Sequence, residues 1–254
     1  MSNSIFADHR NSQFEARRVT IQFVNRLIGG CPKDAKLVQG WLGKNMGLEG
    51  EDLRIRMVLH LIEMGVDVPE DATVDELMEA TDKLAGEIKT QGFKVNEDGR
   101  PYIESRQIKA GIKESVSILF PGGKAAGTYK WGKTGKGPAA YAAERAFVQP
   151  EQIIVADEVD GTDLFLGHVS GPRGKMSTIG YAEYVERPTI SFVLLTARDS
   201  DDLDKAWPDI WTHMELNGIG ARRSQGFGQF EVIEFAKQDT TDIESILGNT
   251  ATLA

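Results

Sequence analysis

Gly218-Ile-Gly220-Ala-Arg222-Arg223-Ser-Gln-Gly226-Phe-Gly228-Gln-Phe230 is the stretch from which the fold is read, two Gly-x-Gly pairs bracketing a basic pair. Glycines this dense describe a backbone that turns tightly and lets something approach it closely. The two arginines between them point to an anion as the visitor. Downstream, Phe230-Glu-Val232-Ile233-Glu-Phe235 is a β-branched and aromatic run that reads as a strand. Upstream, Asp201 leads by helix toward the loop; within that run Trp207 to Asn217 reads as helical, with Pro208 at an early position and Gly218 as its αL cap. The unit is helix, glycine-rich basic loop, strand.

Working back along the chain, Thr189-Ile-Ser-Phe192-Val-Leu-Leu195 reads as a buried strand, and Arg145–Val148 and Gln152–Val155 as one or two more. Ser105 to Leu119 is helical: Ile108, Ile112, Val116 and Leu119 share one face, and Arg106, Lys109 and Lys113 share another roughly 100° away. Those cations are either the solvated flank of an amphipathic helix or a phosphate-facing row. Glu15 to Gly30 opens with alternation, Val19, Ile21 and Phe23 against Thr20 and Gln22, and reads as a strand ending at Gly29-Gly30-Cys31-Pro32. Without its excursions the order is β–α–β–β–α–β, the ferredoxin-like (RRM-like) plan. The expected fold class is therefore α+β, a single domain over 1–254 with a four-stranded antiparallel sheet.

Four segments lie outside that plan. Residues 36–99 read as an acidic helical insertion, with apolar stripes at helical spacing and a capping box of Thr73 and Glu76. Residues 120–138 are a flexible Gly/Lys loop: Gly122 to Gly137 holds six glycines, Lys124, Lys130, Lys133 and Lys136, Tyr129 and Trp131, and no acid. Lysines there supply charge for phosphate and the two aromatics can stack on unpaired bases; a linker that binds nothing is the other reading. Residues 157–187 read as an irregular excursion carrying the basic spot Arg173-Gly-Lys175, and 237–254 as a loosely held tail.

The net charge of −9 argues at first against a polyanion partner. Its distribution reverses that: residues 1–46 carry 7 basic and 3 acidic side chains and residues 100–150 carry 9 and 3, while 47–99 carry 5 and 14. A polyanion site needs local positive potential, not a basic total. No apolar run approaches the ~20 residues of a membrane span, and the first ten residues lack the apolar core of a signal peptide. With Cys31 as the single cysteine there is no internal disulfide, and a cytoplasmic location is expected.

A helix, Gly-x-Gly, five residues with a basic pair, Gly-x-Gly and a closing strand resembles the signature loop of the RAMP superfamily, the RNA-binding subunits of CRISPR effector complexes, with Gly218, Gly220, Gly226 and Gly228 all matching. The resemblance implies a repeated backbone subunit of an antiviral ribonucleoprotein complex that binds single-stranded guide RNA without reading its sequence. It implies that Arg222, Arg223 and the loop amides hold phosphates, that Arg106, Lys109 and Lys113 line the groove, and that the 120–138 loop wraps the strand. The 157–187 excursion, with Arg173 and Lys175, would be a thumb-like hairpin. Other complex subunits and further copies of the chain, in a filament, are the expected partners; no cofactor, metal or membrane is. RAMP backbone subunits of type III carry a target-cleaving aspartate after the first strand. Asp34 corresponds to it by location, helix capping being the alternative. No other catalytic residue is assigned, because none of His9, His60, His168 and His213 lies in residues 103–119, where RNA-cleaving members commonly place a histidine.

Two rival readings stand beside this one. Gly127-Thr-Tyr-Lys-Trp-Gly132-Lys133-Thr134 matches a Walker A pattern and Ile153-Ile154-Val155-Ala-Asp157-Glu158 mimics Walker B, the signature of a nucleotide-hydrolysing P-loop. Against it, Gly135-Lys-Gly137-Pro138 interrupts the helix whose amides would face the phosphates. The third reading is a structural assembly protein that keeps the fold without RNA.

Overall fold

The alternation of Val19, Ile21 and Phe23 with Thr20 and Gln22 becomes β1 (Phe14–Phe23), a strand with neighbours on both sides. In this computed structural model the described residues are 12–33, 52, 54–56, 58–59, 72–73, 75–76, 90–121, 137–171 and 174–238. After β1 come β2 (Leu27–Ile28), β3 (Cys31–Pro32), β4 (Thr90–Gly92), β5 (Lys94–Val95), β6 (Pro101–Glu104) and α1 (Ser105–Leu119). Then follow α2 (Pro138–Arg145), β7 (Ala146–Gln149), β8 (Gln152–Ile154), β9 (Gly161–Gly171), β10 (Gly174–Val185), β11 (Thr189–Ala197), α3 (Asp201–Asn217) and β12 (Phe230–Gln238). The architecture is α+β. The chain divides into two compact units, one of residues 1–27, 103–155 and 186–254, the other of residues 28–102 and 156–185.

In the first unit four strands form one sheet in the order β12-β1-β11-β7, every neighbouring pair antiparallel. β1 sits inside the sheet, which explains why both of its faces are apolar or satisfied. Val19, Ile21 and Phe23 are buried on one side; on the other, Thr20 Oγ1 lies 3.0 Å from Ser191 Oγ and donates to Glu234 (2.8 Å). α3 packs on the face carrying Phe192, Phe230 and Phe235, through Trp207 and Trp211 with ring centroids 6.1 to 6.5 Å apart. Such aromatic pairs add roughly 0.5–1.5 kcal/mol each beyond the area they bury. Arg17, almost fully buried on this face, pairs with Glu15 and with Asp204 of α3 (3.1 Å), and its guanidinium lies 5.4 Å from the Phe235 ring centroid. β12 is an edge strand with a bulge opposite Thr20 and Ile21, and its Val232 amide donates to Glu215 of α3 (2.8 Å).

α1 buries Ile108, Ile112 and Val116 as its spacing predicts, whereas Leu119 is exposed in the last turn. α1 and α3 come close at Gly111, where an added Cβ would stand 2.8 Å from Met214 Cε. Next to this crossing Ser115 Oγ and His213 Nδ1 lie 2.9 Å apart, which gives His213 a structural partner. α3 runs from Asp201 to Asn217, the whole stretch read as leading by helix into the loop, so that Pro208 lies inside the helix and not at an early position. Asp201, Asp202 and Asp204 in the first turn face the positive end of the helix dipole, and Leu203, Ala206, Trp207, Ile210, Trp211 and Met214 bury at spacings of three and four.

In the second unit β9 and β10 pair antiparallel over eleven residue pairs, from Gly174↔Gly171 to Tyr184↔Gly161. This ladder replaces the irregular excursion read from 157–187: the glycines suggested loop, but backbone pairing does not need side chains. β4 runs parallel to β10 and antiparallel to β3, and β5 pairs with β6. β4 and β5 fall within 36–99, so the C-terminal end of the expected helical insertion is strand. Glu183 of β10 pairs with Lys33 and accepts the Phe93 amide (3.0 Å).

Candidate nucleic-acid interface

At one end of the first unit's sheet the chain leaves β1, enters β11 and enters β12 side by side. Backbone bonds lock the three segments: the Phe23 amide donates to Pro188 O (2.9 Å), Val24 to Gln229 O (3.0 Å) and Gly228 to Arg26 O (3.0 Å). The glycine-rich loop is built on this frame. Gly218 ends α3 with φ +75°, and the Ile219 amide reaches Gly228 O at 2.9 Å. A Cβ on Gly218 would stand 2.8 Å from the Gly228 carbonyl, and one on Gly228 only 1.9 Å from Ile219 O. The visitor that these two glycines admit is therefore the loop's own backbone.

The tip differs from the base. Gly220 (φ +92°) and Gly226 (φ +85°) flank a short 3-10 turn at Arg223–Gln225, and no described residue comes within 4 Å of where a Cβ on Gly226 would be. Asn25 Nδ2 holds the tip by donating to Gly226 O at 2.7 Å. Arg222 has φ +58°, and burial draws its guanidinium below its ordinary value. Arg223 Nη1 donates to Glu114 Oε2 of α1 at 2.8 Å, and that hydrogen bond holds the Glu114 carboxyl below the usual glutamate range.

The three α1 cations divide. Arg106 pairs with Glu104; Lys109 lies over the Phe147 ring at 4.5 Å, where burial, then the charge of Lys113, lowers its affinity for a proton. Lys113 is exposed one residue before Glu114. By helical geometry Lys109 and Glu114 are about 140° apart, so Arg223 meets α1 away from the flank that Lys109 lines. The loop thus meets α1 through Arg223 and Glu114, while Arg106 pairs with Glu104 and Lys109 with the Phe147 ring.

No family model matches the chain, and no curated protein does. Among solved structures it is similar to a chain of the cryo-EM structure of the Type III-B Cmr-beta bound to cognate target RNA, with a TM-score of 0.47 and 14% identity over 90% of this chain. It spans 62% of that chain's length.

Lys124, Tyr129, Lys130, Trp131, Lys133, Lys136, Arg173 and Asp34 lie outside the described residues, and so does the Walker A segment 127–134. Lys175 is on β10. α2 begins only at Pro138, after Gly137, and the sheet beside it is antiparallel, unlike the strand-loop-helix of a phosphate-binding P-loop. Asp157 of the Walker B-like run pairs with Arg100 at 2.9 Å. Among the described residues no helix is long and apolar enough to cross a membrane.

Sequence reading missed Arg26, Arg187 and Glu114. Arg26 Nε pairs with Glu186 Oε1 at 2.6 Å, and Arg187 has φ +44°. A signal was available for Arg26, which follows the alternating run Val19 to Phe23 as the glycine-rich loop precedes the last strand. None was available for Glu114, whose partner is 109 positions away in sequence.

Proposed function

We propose that the first unit binds single-stranded RNA at the end of its sheet where the glycine-rich loop stands, without reading base sequence. The observation that carries this reading is the two-part loop: a base closed backbone on backbone at Gly218 and Gly228, and an open tip bearing Arg222 and Arg223. A rigid base with cationic, backbone-rich tip geometry suits phosphate oxygens, which accept from guanidinium forks and from amides alike. The strand order β12-β1-β11-β7 with α1 and α3 after the first and third strands supports a ferredoxin-like (RRM-like) core of the RAMP kind. On that reading the β9–β10 hairpin serves as the thumb, the 120–138 loop wraps the RNA, and the chain works as a repeated backbone subunit beside other subunits of a CRISPR-type ribonucleoprotein, copies associating along one guide.

The test is equilibrium binding of a labelled single-stranded RNA over a range of salt. Arg222→Ala with Arg223→Ala weakens binding at ~150 mM salt and lowers the slope of log K against log salt by about two. An unchanged affinity and slope removes the loop from the RNA site.

A further inference from the structure

Two non-glycine residues among those described hold a positive φ, and both are arginines: Arg187 at +44° and Arg222 at +58°. Glycine or asparagine would take that conformation with less strain. A long cationic side chain on a left-handed backbone points to a role for the side chain, since the turn alone favours a smaller residue. Both residues stand at the same end of the same sheet. Because β1 lies between β12 and β11, Arg222 and Arg223 before β12, Arg26 after β1 and Arg187 before β11 follow one another across three adjacent strand ends. Neighbouring strands are ~4.8 Å apart, so these three strand ends span roughly 10 Å, and the backbone bonds of Phe23, Val24 and Arg26 to the flanking segments hold them together.

The counter-ions complete the pattern. Arg26 pairs with Glu186 at 2.6 Å and Arg223 with Glu114 at 2.8 Å, each partner between a third and a half exposed. Exposed pairs of this kind hold weakly against water and salt. They keep the guanidinium in position and release it to a stronger acceptor. A phosphate oxygen is such an acceptor, with the same fork geometry as a carboxylate.

We infer that Arg26 and Arg187 extend the RNA site beyond the glycine-rich loop into a row of phosphate contacts, and that Glu186 and Glu114 occupy, in the free protein, the places that phosphates take. This rests on the RNA-binding reading of the loop. The row explains why Arg187 is an arginine at a position whose backbone calls for glycine, and why two arginines are held by replaceable acids.

The experiment uses the full chain and a labelled uridine homopolymer over a range of salt, with melting temperature measured in parallel. Arg187→Gly suits the left-handed backbone, so it preserves or raises the melting temperature; its affinity falls about three- to tenfold at ~150 mM salt and its salt slope falls by about one. Arg26→Gln behaves likewise. Glu186→Gln and Glu114→Gln each tighten binding several-fold. Unchanged affinity in Arg187→Gly and Arg26→Gln overturns the row, and weaker binding in both glutamine variants at Glu186 and Glu114 overturns the exchange of acid for phosphate. Failure of the loop reading looks different: the Arg222→Ala, Arg223→Ala double variant then binds like the unaltered chain while Arg187→Gly does not. An unaltered chain with no affinity for the homopolymer overturns both.

Discussion

Arg17 in the middle of the sheet and Arg223 at its end make ion pairs of similar length in opposite settings. Arg17 is enclosed, with Glu15, Asp204, Thr196 and the Phe235 ring around its guanidinium. Arg223 is about a third exposed and touches Glu114, itself 37% exposed. The first pair cannot be given up without leaving charge stranded among apolar side chains; the second exchanges its partner at little cost. Burial, and not the pairing itself, decides whether an arginine is committed to the fold or can exchange its partner. The same divide runs through the glycines, with Gly228 at the closed base and Gly226 at the open tip.

The largest effect that tests this contrast is expected at Gly228. Gly228→Ala drives a methyl into Ile219 O at a position with φ +76°, and strain and overpacking together cost about 3 kcal/mol, read by urea denaturation. A loss under ~1 kcal/mol would mean that the base yields and that the divide between base and tip is false. Arg17→Ala follows, at about 2–3 kcal/mol. It falls below the full cost of breaking a buried pair because Glu15 keeps Lys237 (2.7 Å) and Asp204 is 37% exposed. Arg223→Ala serves as its control and changes stability by less than ~1 kcal/mol; equal losses would erase the contrast.

Gly226→Ala meets no neighbour among the described residues and costs about 1 kcal/mol for its left-handed φ of +85°, by the same denaturation. The smallest signal is electrostatic. Glu114 is held below its ordinary value by Arg223, so the link is complete above the usual glutamate pKa of about 4.3 and fades as pH falls through the lower folded value. NMR titration of the Glu114 carboxyl in Arg223→Ala should move it back toward ~4.3; no movement would mean that the pair is not formed in solution.

What could be read from sequence followed from how local each signal is. β1 and the buried face of α1 were legible because alternation and helical spacing are imposed by the face that a single element buries. The β9–β10 ladder was not, because Gly161, Gly167, Gly171 and Gly174 weaken the strand signal while leaving its amides free to pair. The loop was found by its glycines, but the close approach of Gly218 and Gly228 to each other was not, because contacts between positions ten apart in a loop leave no periodic mark. Arg187 escaped because a left-handed arginine carries no sequence mark, and Glu114 because ion pairs between distant positions have no periodicity.

Val232 gives the sheet one last property. An outermost strand is a template on which another chain can lay down its own amides and carbonyls, the route by which sheets grow without limit. By lending a carboxylate to that amide, Glu215 occupies a docking point that an incoming strand would need, and the irregular step beside it breaks the straight rail. Any chain that approaches this edge would accordingly meet side chains before it met a free backbone ladder.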